Sequence, residues 1–422
     1  MSGLRRLGRW GCGARRSGGS RRTRSSNAIW HGGGCTRKQC SRRPRLSTRP
    51  WVAAPRPADA SGTRRDRPRR DDAPPAARGC ILSTMSSSAD VRDRPSRPPL
   101  LHHDPLAGRM AFIAPERAER PNDADLVAVD AATDPGTWCP FCAGNEHRTP
   151  PAVLRAPAEA SRSWHARIVP NRYPVATEAD PRDDDGGAVA PVRPAHGVHD
   201  VVVESARHES TILGVQPDEW RDVWHLCRAR LEMLAARGDL AWATIFKNSG
   251  PAAGASLAHV HSQLVGLDFV PPSIRAELAA AAADVTGFAR LIDDAVRSGR
   301  LVAEQAGLVA LAPPAPRQPF ETWILPARSA PLFHAAEPAH VEALADLTRL
   351  LVGRLARVAP GADYNWWLHQ APYGDHGRQV AGWRWHLEIL PRVTSLAGFE
   401  LGTGCHINTL PPDEAAGLLR GA

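Results

Sequence analysis

Side chains capable of chemistry are concentrated in residues 246–264, which read F-K-N-S-G-P-A-A-G-A-S-L-A-H-V-H-S-Q-L. The pattern predicts a strand end, a glycine-rich turn and then a strand that carries His259, His261 and Gln263. Side chains two residues apart on a strand point to the same face, so these three groups would converge. An imidazole can bind a metal or act as a nucleophile, and the backbone N–H groups of such a turn favour anions.

The simpler interpretation of His259 and His261 is a pair of hydrogen-bonded histidines on a half-buried strand. That interpretation suits an isolated His-x-His pair. Here the upstream glycines and a distant pair of cysteines instead favour a reactive or metal-binding site.

The cysteine pair is Cys139 and Cys142, in the segment W-C-P-F-C-A-G-N-E. A C-x-x-C pair in a non-secreted chain is usually a metal site or a redox site. A redox pair normally opens a helix, whereas this pair lies in a turn bounded by Pro and Gly, so zinc is favoured. A structural zinc needs four ligands, and no second C-x-x-C is present, so histidines must complete the set. His208 lies just past a buried strand predicted over residues 200–204, where its side chain could turn inward.

Two further segments offer polar groups for a ligand. Arg117 and Arg120 lie three residues apart in P-E-R-A-E-R-P, and two guanidinium groups at that spacing could clamp a phosphate or a carboxylate. A solvated turn is the alternative. Asn171 follows a short strand predicted over residues 167–170 and is available for hydrogen bonding.

The formal net charge of +9 is unevenly distributed along the 422 residues. Residues 1–84 contain 21 Arg and Lys against 4 Asp, a net charge of +17, so the remaining residues carry −8. An acidic body argues against nucleic-acid binding. No apolar run reaches the roughly 18 residues of a membrane span, so no membrane interaction is expected. The uneven cysteines form no disulfide framework, which favours the cytoplasm.

The first 95 residues are rich in Arg, Ser, Gly and Pro and have no hydrophobic periodicity, so they should be disordered. An Arg-rich, acid-poor N-terminus could be an organelle transit peptide or a basic arm that binds nucleic acid. It could also be upstream sequence translated from a misassigned start, with Met85 as the true first residue. The last interpretation is favoured because nothing downstream needs the tail.

Downstream of Asp104, the order of predicted strands and helices repeats after about 120 residues. A helix is predicted over 217–237, with Trp220, Trp224, Leu231 and Leu234 on its buried side. Further helices are expected near 273–299 and 338–357, and strands at 308–312, 321–325, 363–369 and 384–390. We therefore predict two domains, 104–270 and 271–420, related by duplication. In the second domain, the places of His259, His261 and Gln263 would be taken by three other residues, Arg384, His386 and Glu388.

Over most of residues 104–420 the chain resembles the galactose-1-phosphate uridylyltransferase family, a branch of the histidine-triad superfamily. The motifs that carry the resemblance are P-E-R-A-E-R-P, W-C-P-F-C-A-G-N-E, V-P-N-R-Y-P, E-S-A-R-H, F-K-N-S-G-P-A-A-G-A-S-L-A-H-V-H-S-Q, W-H-L-E-I-L-P-R and A-G-F-E-L-G-T-G. The resemblance implies an α+β fold of two tandem histidine-triad-like halves, each an antiparallel sheet with packed helices. It also implies a homodimer, which the family commonly forms.

The resemblance assigns a role to each candidate residue. It implies a structural Zn²⁺ bound by Cys139, Cys142, His208 and His259. His261 would be the nucleophile that attacks the α-phosphorus of a nucleoside diphosphate sugar, and Gln263 would hydrogen-bond the transferred phosphoryl group. The residues expected to bind substrate are Arg117, Arg120, Asn171, Asn248, Gly254 and Ser256.

The activity implied first is uridylyl exchange between UDP-glucose and a sugar 1-phosphate such as galactose 1-phosphate, by a ping-pong route. Two departures leave the acceptor open. His406 stands where family members have a glutamine that contacts the sugar phosphate, and no full ligand set is evident for the family's optional second metal. The stretches G-A-S-L-A-H-V-H-S-Q and F-E-L-G-T-G are at least as similar to the ADP-glucose phosphorylase branch, in which inorganic phosphate accepts the nucleotidyl group. From another class, a zinc-stabilised nucleotide-binding module without turnover is the alternative.

Overall fold

A computed structural model of the chain describes residues 98–104, 109–119, 138–179, 192–374 and 380–422. The predicted disordered tail, Met85 and Arg120 lie outside the described residues. No helix in the described ranges is long and apolar enough to cross a membrane.

The strands are numbered in chain order. They are β1 (Leu100–Asp104), β2 (Arg109–Ile113), β3 (Leu154–Ala156), β4 (Ala166–Pro170), β5 (Val192–Pro194), β6 (Gly197–Val203), β7 (Trp242–Ser249), β8 (His261–Leu267), β9 (Leu301–Gln305), β10 (Leu308–Leu311), β11 (Thr322–Pro326), β12 (Tyr364–His369) and β13 (His386–Pro391). The helices are α1 (Pro217–Arg237), α2 (Pro272–Ala283), α3 (Gly287–Arg297), α4 (Pro338–Val358), α5 (Gly398–Thr403) and α6 (Pro412–Gly421). Short 3-10 helices cover Pro115–Glu119, Glu146–Arg148, Pro251–Ala253 and Phe333–Ala335.

Ten strands form one antiparallel sheet in the order β3-β4-β6-β8-β7-β12-β13-β11-β10-β9, and a second sheet has the order β2-β1-β5. The large sheet runs through both predicted domains, which join where β7 pairs with β12. The predicted α+β fold, with antiparallel strands and packed helices, is therefore confirmed. Counted inward from either edge, the five strands of each half follow the chain order first, second, third, fifth, fourth, as the duplication would require. The duplication itself stays a prediction.

Helix α1 has the predicted bounds, Pro217–Arg237, and ends at Gly238, whose φ of 79° is favourable only for glycine. The four residues predicted on its inner side are all buried. The helices predicted near 273–299 are two, Pro272–Ala283 and Gly287–Arg297. Between them the Asp284 carboxylate accepts hydrogen bonds from the Thr286 N–H at 3.1 Å and hydroxyl at 2.8 Å, so a turn replaces the helix there.

The position of β8 differs from the prediction in a way that matters for the site. The strand begins at His261, so His259 precedes it and does not share a regular pleat with His261. Strand β6 begins at Gly197, three residues before the prediction, and thereby includes His199. The short strands β1, β3, β5 and β9 were not predicted, because stretches of three to five residues show too little alternation.

A cluster of tryptophans packs helix α1 against the centre of the large sheet. The Trp224 ring lies 6.1 Å from Trp220 and 6.2 Å from Trp366 of β12, measured between centroids. The Trp220 indole N–H donates to the Ala345 carbonyl at 3.1 Å and to the Thr348 hydroxyl at 3.0 Å, both on α4. The cluster thus ties together helices from both predicted domains and the strand at their junction.

We predict that Trp366→Ala lowers the free energy of unfolding by about 3–5 kcal/mol, because it leaves a cavity in a fully buried cluster. Trp366 is 1% exposed, and its indole N–H has no hydrogen-bond partner among the described residues. Trp366→Phe keeps most of the ring volume and loses no hydrogen bond there, so its cost should be roughly half or less. Urea denaturation measures both values. Equal losses for the two variants would contradict a packing role.

Candidate active site and metal centre

The cysteine turn and two histidines from separate segments meet on one side of β8. The Cys139 Sγ lies 3.5 Å from His259 Nδ1, and the Cys142 Sγ lies 3.4 Å from His208 Nδ1 and 3.5 Å from His259 Nδ1. One potential ligand atom from each of the four residues lies within 4.8 Å of all the others. The structure therefore brings together the four residues that the family resemblance predicts as zinc ligands.

The spacing and hydrogen bonding of this Cys/His cluster fit a tetrahedral metal. Zinc bonds of about 2.3 Å to sulfur and about 2.0–2.1 Å to nitrogen would place the two ligand atoms about 3.5 Å apart. The other ring nitrogen of His259, Nε2, donates to the Ser205 carbonyl at 2.9 Å, which leaves the Nδ1 lone pair on the side of the cysteines. A metal-binding histidine is commonly oriented in this way. Cys139, Cys142, His208 and His259 would thus hold Zn²⁺.

Burial around the cluster has opposite effects on its thiol and imidazole groups. It raises the pKa of the Cys139 thiol to about 12 and lowers the pKa of His259 to about 3. A neutral imidazole is the form that binds metal, whereas a thiolate in this dry setting needs a cation beside it.

His261 is the first residue of β8 and is 8% exposed. Its Nδ1 lies 2.7 Å from the backbone carbonyl oxygen of His259. A carbonyl oxygen can only accept, so Nδ1 carries the hydrogen and the lone pair of the neutral ring is on Nε2. This tautomer is the one that a histidine attacking through Nε2 needs, and the carbonyl of His259, two residues earlier, fixes it.

A cavity of about 630 Å³ lies in front of His261. Four of the predicted site residues line it, namely Asn171, Ser256, His261 and Gln263. The cysteine turn forms another part of its wall through Trp138, Pro140 and Phe141, and the Phe141 ring centroid lies 5.8 Å from that of His259 and 5.3 Å from that of His261. The metal cluster and the cavity therefore share a wall.

Two other predicted substrate residues belong to the glycine-rich turn next to the cavity. Asn248 is the next-to-last residue of β7 and accepts a hydrogen bond from the Asn365 side chain at 2.9 Å, while Gly254 has a φ of 84°. In this turn a Cβ on Gly250, whose φ is 87°, would lie 1.7 Å from an Asp363 oxygen. The Asp363 carboxylate also accepts the Ala252 N–H at 2.6 Å. Packing from β12 therefore fixes the shape of the turn.

The two predicted arginines have different outcomes. Arg117 lies in the 3-10 helix Pro115–Glu119 and donates to the backbone carbonyl of Tyr173 at 2.6 Å. Tyr173 lines the cavity, so Arg117 supports its wall without being among the lining residues. Arg120 lies outside the described residues.

Sequence reasoning missed several residues around the cavity. His147, Arg148 and Thr149 line it just after the cysteine turn, and an arginine so close to a metal-binding turn was a usable signal. His199 lies behind Gln263 and bonds to it at 3.0 Å. His199 lies two residues before Val201, so both side chains point to the same face of β6. It was missed because the predicted strand began at residue 200.

A buried ion pair lies on the opposite side of β8. Lys247 donates to the Glu204 carboxylate at 2.5 Å and to the His261 backbone carbonyl at 2.8 Å, and Ser262 donates to the same carboxylate at 2.5 Å. Burial lowers the pKa of Lys247, and the neighbouring carboxylate opposes that shift. The network therefore binds the His261 backbone on the side of β8 that faces away from the cavity.

A second cluster in the C-terminal part brings together Glu277, His369, His386 and Glu388. The His386 Nε2 atom is buried and lies 3.4 Å from a Glu388 oxygen. The fold therefore gathers four potential ligands that were not evident in the sequence as a set for a second metal. The decisive carboxylate, Glu277, comes from α2, which a strand motif could not reveal. Arg384, which takes the place of His259 in the predicted duplication, lies outside this cluster and donates to the carbonyls of Pro326 and Ala327.

Comparisons with known proteins agree with this architecture. Residues 96–271 match the family model for the galactose-1-phosphate uridyl transferase N-terminal domain, and residues 195–419 match a domain of unknown function, DUF4921. An ADP-glucose phosphorylase of Arabidopsis thaliana is 30% identical over 327 residues, which cover 76% of this chain and 92% of that protein. A galactose-1-phosphate uridylyltransferase of Thermotoga maritima is 23% identical over 333 residues, covering 76% and 97% respectively.

A solved structure adds to these relatives. The crystal structure of an ADP-glucose phosphorylase from Arabidopsis thaliana with bound ADP-glucose is 29% identical and has a TM-score of 0.61, covering 77% of this chain and 99% of that one. The fold and the relatives together define an enzyme of the nucleotidyltransferase class. The chain belongs to the galactose-1-phosphate uridylyltransferase family and is similar to its ADP-glucose phosphorylase branch.

We predict that Cys139→Ser lowers the bound zinc well below the content of the wild type, because a hydroxyl is a poor substitute for a thiolate ligand. Elemental analysis of the purified protein measures the change. Cys405→Ser is the matched control, since Cys405 is exposed and outside the Cys/His cluster. Equal zinc in the Cys139→Ser variant and the control would mean that the ligands are misassigned.

The second cluster generates a separate prediction. His386→Ala should lower total metal per chain without changing the zinc that Cys139→Ser removes, because the two clusters share no residue. His340→Ala serves as the control, since His340 lies outside both clusters. Metal content that is identical in the His386→Ala and His340→Ala variants would argue that the second cluster is held by its own ion pairs alone.

Proposed function

We propose that this protein transfers a nucleoside monophosphoryl group from a nucleoside diphosphate sugar to a second acceptor through a covalent bond to His261. The observation that carries the proposal is the tautomer of His261. Its Nδ1 hydrogen is directed at the His259 carbonyl, 2.7 Å away, and its ring lines a cavity of about 630 Å³. A neutral imidazole presented in this way is a competent nucleophile.

The first step breaks one bond for each that it forms. The Nε2 lone pair of His261 attacks the α-phosphorus, and the bond from that phosphorus to the bridging oxygen breaks, releasing sugar 1-phosphate. The ring becomes positively charged as the P–N bond forms, so the Nδ1–H bond to the His259 carbonyl strengthens during the step. An acceptor oxygen then attacks the same phosphorus and the P–N bond breaks, which restores the neutral ring.

Other residues around the cavity would stabilise the charge on the transferred group. Gln263 would donate to a phosphoryl oxygen, and Ser256 and the backbone N–H groups around Gly254 would contact the diphosphate. Asn171, which also lines the cavity, would bind the ribose. Arg117 would act through Tyr173, whose carbonyl it binds.

A metal bound by the Cys/His cluster would fix the positions of residues around the cavity. A Cys₂His₂ site has no open coordination position, so a bound Zn²⁺ would hold the cysteine turn and His259 in place. Phe141 and the His259 carbonyl then transmit that placement to His261. Water activation is not part of the proposal.

We favour inorganic phosphate as the acceptor and ADP-glucose as the donor. The support is the 30% identity to an ADP-glucose phosphorylase over 92% of that protein, against 23% to a uridylyltransferase. His406, which replaces the glutamine expected for a hexose 1-phosphate acceptor, is exposed. The second candidate, UDP-glucose with galactose 1-phosphate, is supported by the family-model match over residues 96–271. A non-catalytic nucleotide-binding module would retain ligand binding without forming the P–N bond.

A labelling experiment tests the proposal and separates these candidates. Protein incubated with ADP-glucose or UDP-glucose that carries ³²P at the α-phosphate should acquire acid-labile label, because a phosphoramidate hydrolyses in acid. Phosphate should discharge the adenylyl label as ADP. Discharge of uridylyl label by galactose 1-phosphate, with no adenylyl label, would favour the second candidate. Binding of both nucleotides without label would indicate the non-catalytic module.

We predict that His261→Ala lowers the labelling rate at least about a thousandfold, as expected when a nucleophile is removed. His225→Ala is the control, because His225 lies on the outer side of α1 near Glu342. Label that survives in the His261→Ala variant would exclude His261 as the nucleophile. Zinc content measured on the same samples shows whether a loss of activity comes from the metal site instead.

A further inference from the structure

His199 lies behind the cavity wall and makes contact with Gln263. It is 4% exposed and belongs to β6, where Val201 pairs directly with Gln263 and His199 pairs with Val265. His199 and Gln263 are therefore diagonal neighbours on the same face of the sheet. The His199 Nε2 atom lies 3.0 Å from the Gln263 Oε1 atom.

The tautomer of His199 follows from a backbone donor. The Val175 N–H donates to the His199 Nδ1 atom at 3.0 Å, and a backbone N–H can only donate. In the neutral ring Nδ1 therefore has the lone pair and Nε2 carries the hydrogen. That Nε2–H must donate to an acceptor, so Gln263 presents its carbonyl oxygen to His199.

This hydrogen bond determines which end of the Gln263 amide is left for the cavity. With Oε1 bound to His199, the NH₂ group is the end that can meet a ligand. Phosphoryl oxygens of a nucleotide only accept hydrogen bonds, so the opposite orientation of the amide would place oxygen lone pairs against an anion. Gln263 can stabilise a phosphoryl group only in the orientation that His199 selects.

The orientation of the Asn171 side chain, which contacts the same ring nitrogen of His199, can be derived in the same way. Its Oδ1 atom accepts the Tyr173 N–H at 2.9 Å, and its own N–H donates to the His199 carbonyl at 2.8 Å. The Asn171 Nδ2 atom lies 3.1 Å from His199 Nε2, but both nitrogens carry hydrogens, so neither accepts from the other. The NH₂ group of Asn171 is thus also oriented as a donor beside the cavity.

We propose that His199 is a positioning residue that holds Gln263 with its NH₂ group toward the transferred phosphoryl group. The proposal rests on the nucleotidyl transfer proposed above. His199 itself does not line the cavity, so it acts through Gln263 without contacting the substrate.

Two substitutions of His199 separate its donor from its acceptor. His199→Asn keeps an oxygen near the position of Nδ1 for the Val175 N–H and loses the donor to Gln263. His199→Gln keeps an N–H near the position of Nε2 and loses the acceptor for Val175. We expect His199→Asn to lower the single-turnover rate constant for labelling about 10- to 100-fold, the effect of one hydrogen bond to a charged group. His199→Gln should retain most of the rate.

The single-turnover rate constant is chosen because it is independent of the fraction of folded protein, which affects only the amplitude. The Kd for the nucleotide sugar should change by less than about threefold in both variants, since the bond acts mainly on charge that develops in the transition state. Wall distortion would instead weaken nucleotide binding. An equal loss of rate in His199→Gln and His199→Asn would overturn the proposal.

A double-mutant cycle with Gln263→Ala tests whether His199 acts through Gln263. In the Gln263→Ala background, His199→Asn should lower the rate constant by less than about twofold, because the amide that it positions is already absent. An undiminished effect in that background would overturn the proposal while nucleotidyl transfer by the wild type stands. If the wild type forms no label with either nucleotide sugar, the proposed function fails, and with it the role of His199.

Discussion

The hydrogen bond from the His261 ring to the His259 carbonyl is the constraint on which the site depends. One residue, His259, contributes its ring to the Cys/His cluster and its backbone oxygen to the hydrogen bond with the His261 ring. This double use requires an irregular backbone, because a regular strand would commit the carbonyl to the sheet. Strand β8 therefore begins at His261, and the N–H of the preceding residue, Val260, donates to the Glu209 carbonyl. A metal that held His259 would thereby fix the orientation of the His261 imidazole.

The backbone of His261 is also held from the opposite side of the sheet. Lys247 and Glu204 form an ion pair that is almost completely buried, and Lys247 reaches the His261 carbonyl. Burying two charges is expensive unless every polar group is satisfied, and Ser262 supplies the remaining donor to Glu204. An apolar pair would pack as well but could not bind a peptide oxygen. The network is therefore better explained by the placement of one backbone segment than by stability.

Sequence reasoning succeeded where local chemistry determines structure and failed where tertiary contacts do. The bounds of α1 follow from periodicity, a proline at the start and Gly238 at the end. The α+β fold followed from motifs spread over most of the chain. The start of β8 could not be predicted, because alternation continues through His259, whereas its carbonyl accepts from the His261 ring and the Val260 N–H donates to the Glu209 carbonyl. His199 and Glu277 were missed for a related reason, since each acts on a residue more than 60 positions away.

The two halves of the large sheet have the same strand order, but the residues at corresponding positions differ in charge. Where β8 has His261 and Gln263, β13 has His386 and Glu388, with Glu277 and Glu321 nearby. Burial alone would raise the pKa of Glu388, but His386 and Arg317 together lower it to about 2, so the carboxylate is charged at neutral pH. A nucleotide phosphate approaching this face would meet like charge, whereas a cation would be attracted. The carboxylates of this cluster therefore suit a cation better than a phosphoryl group.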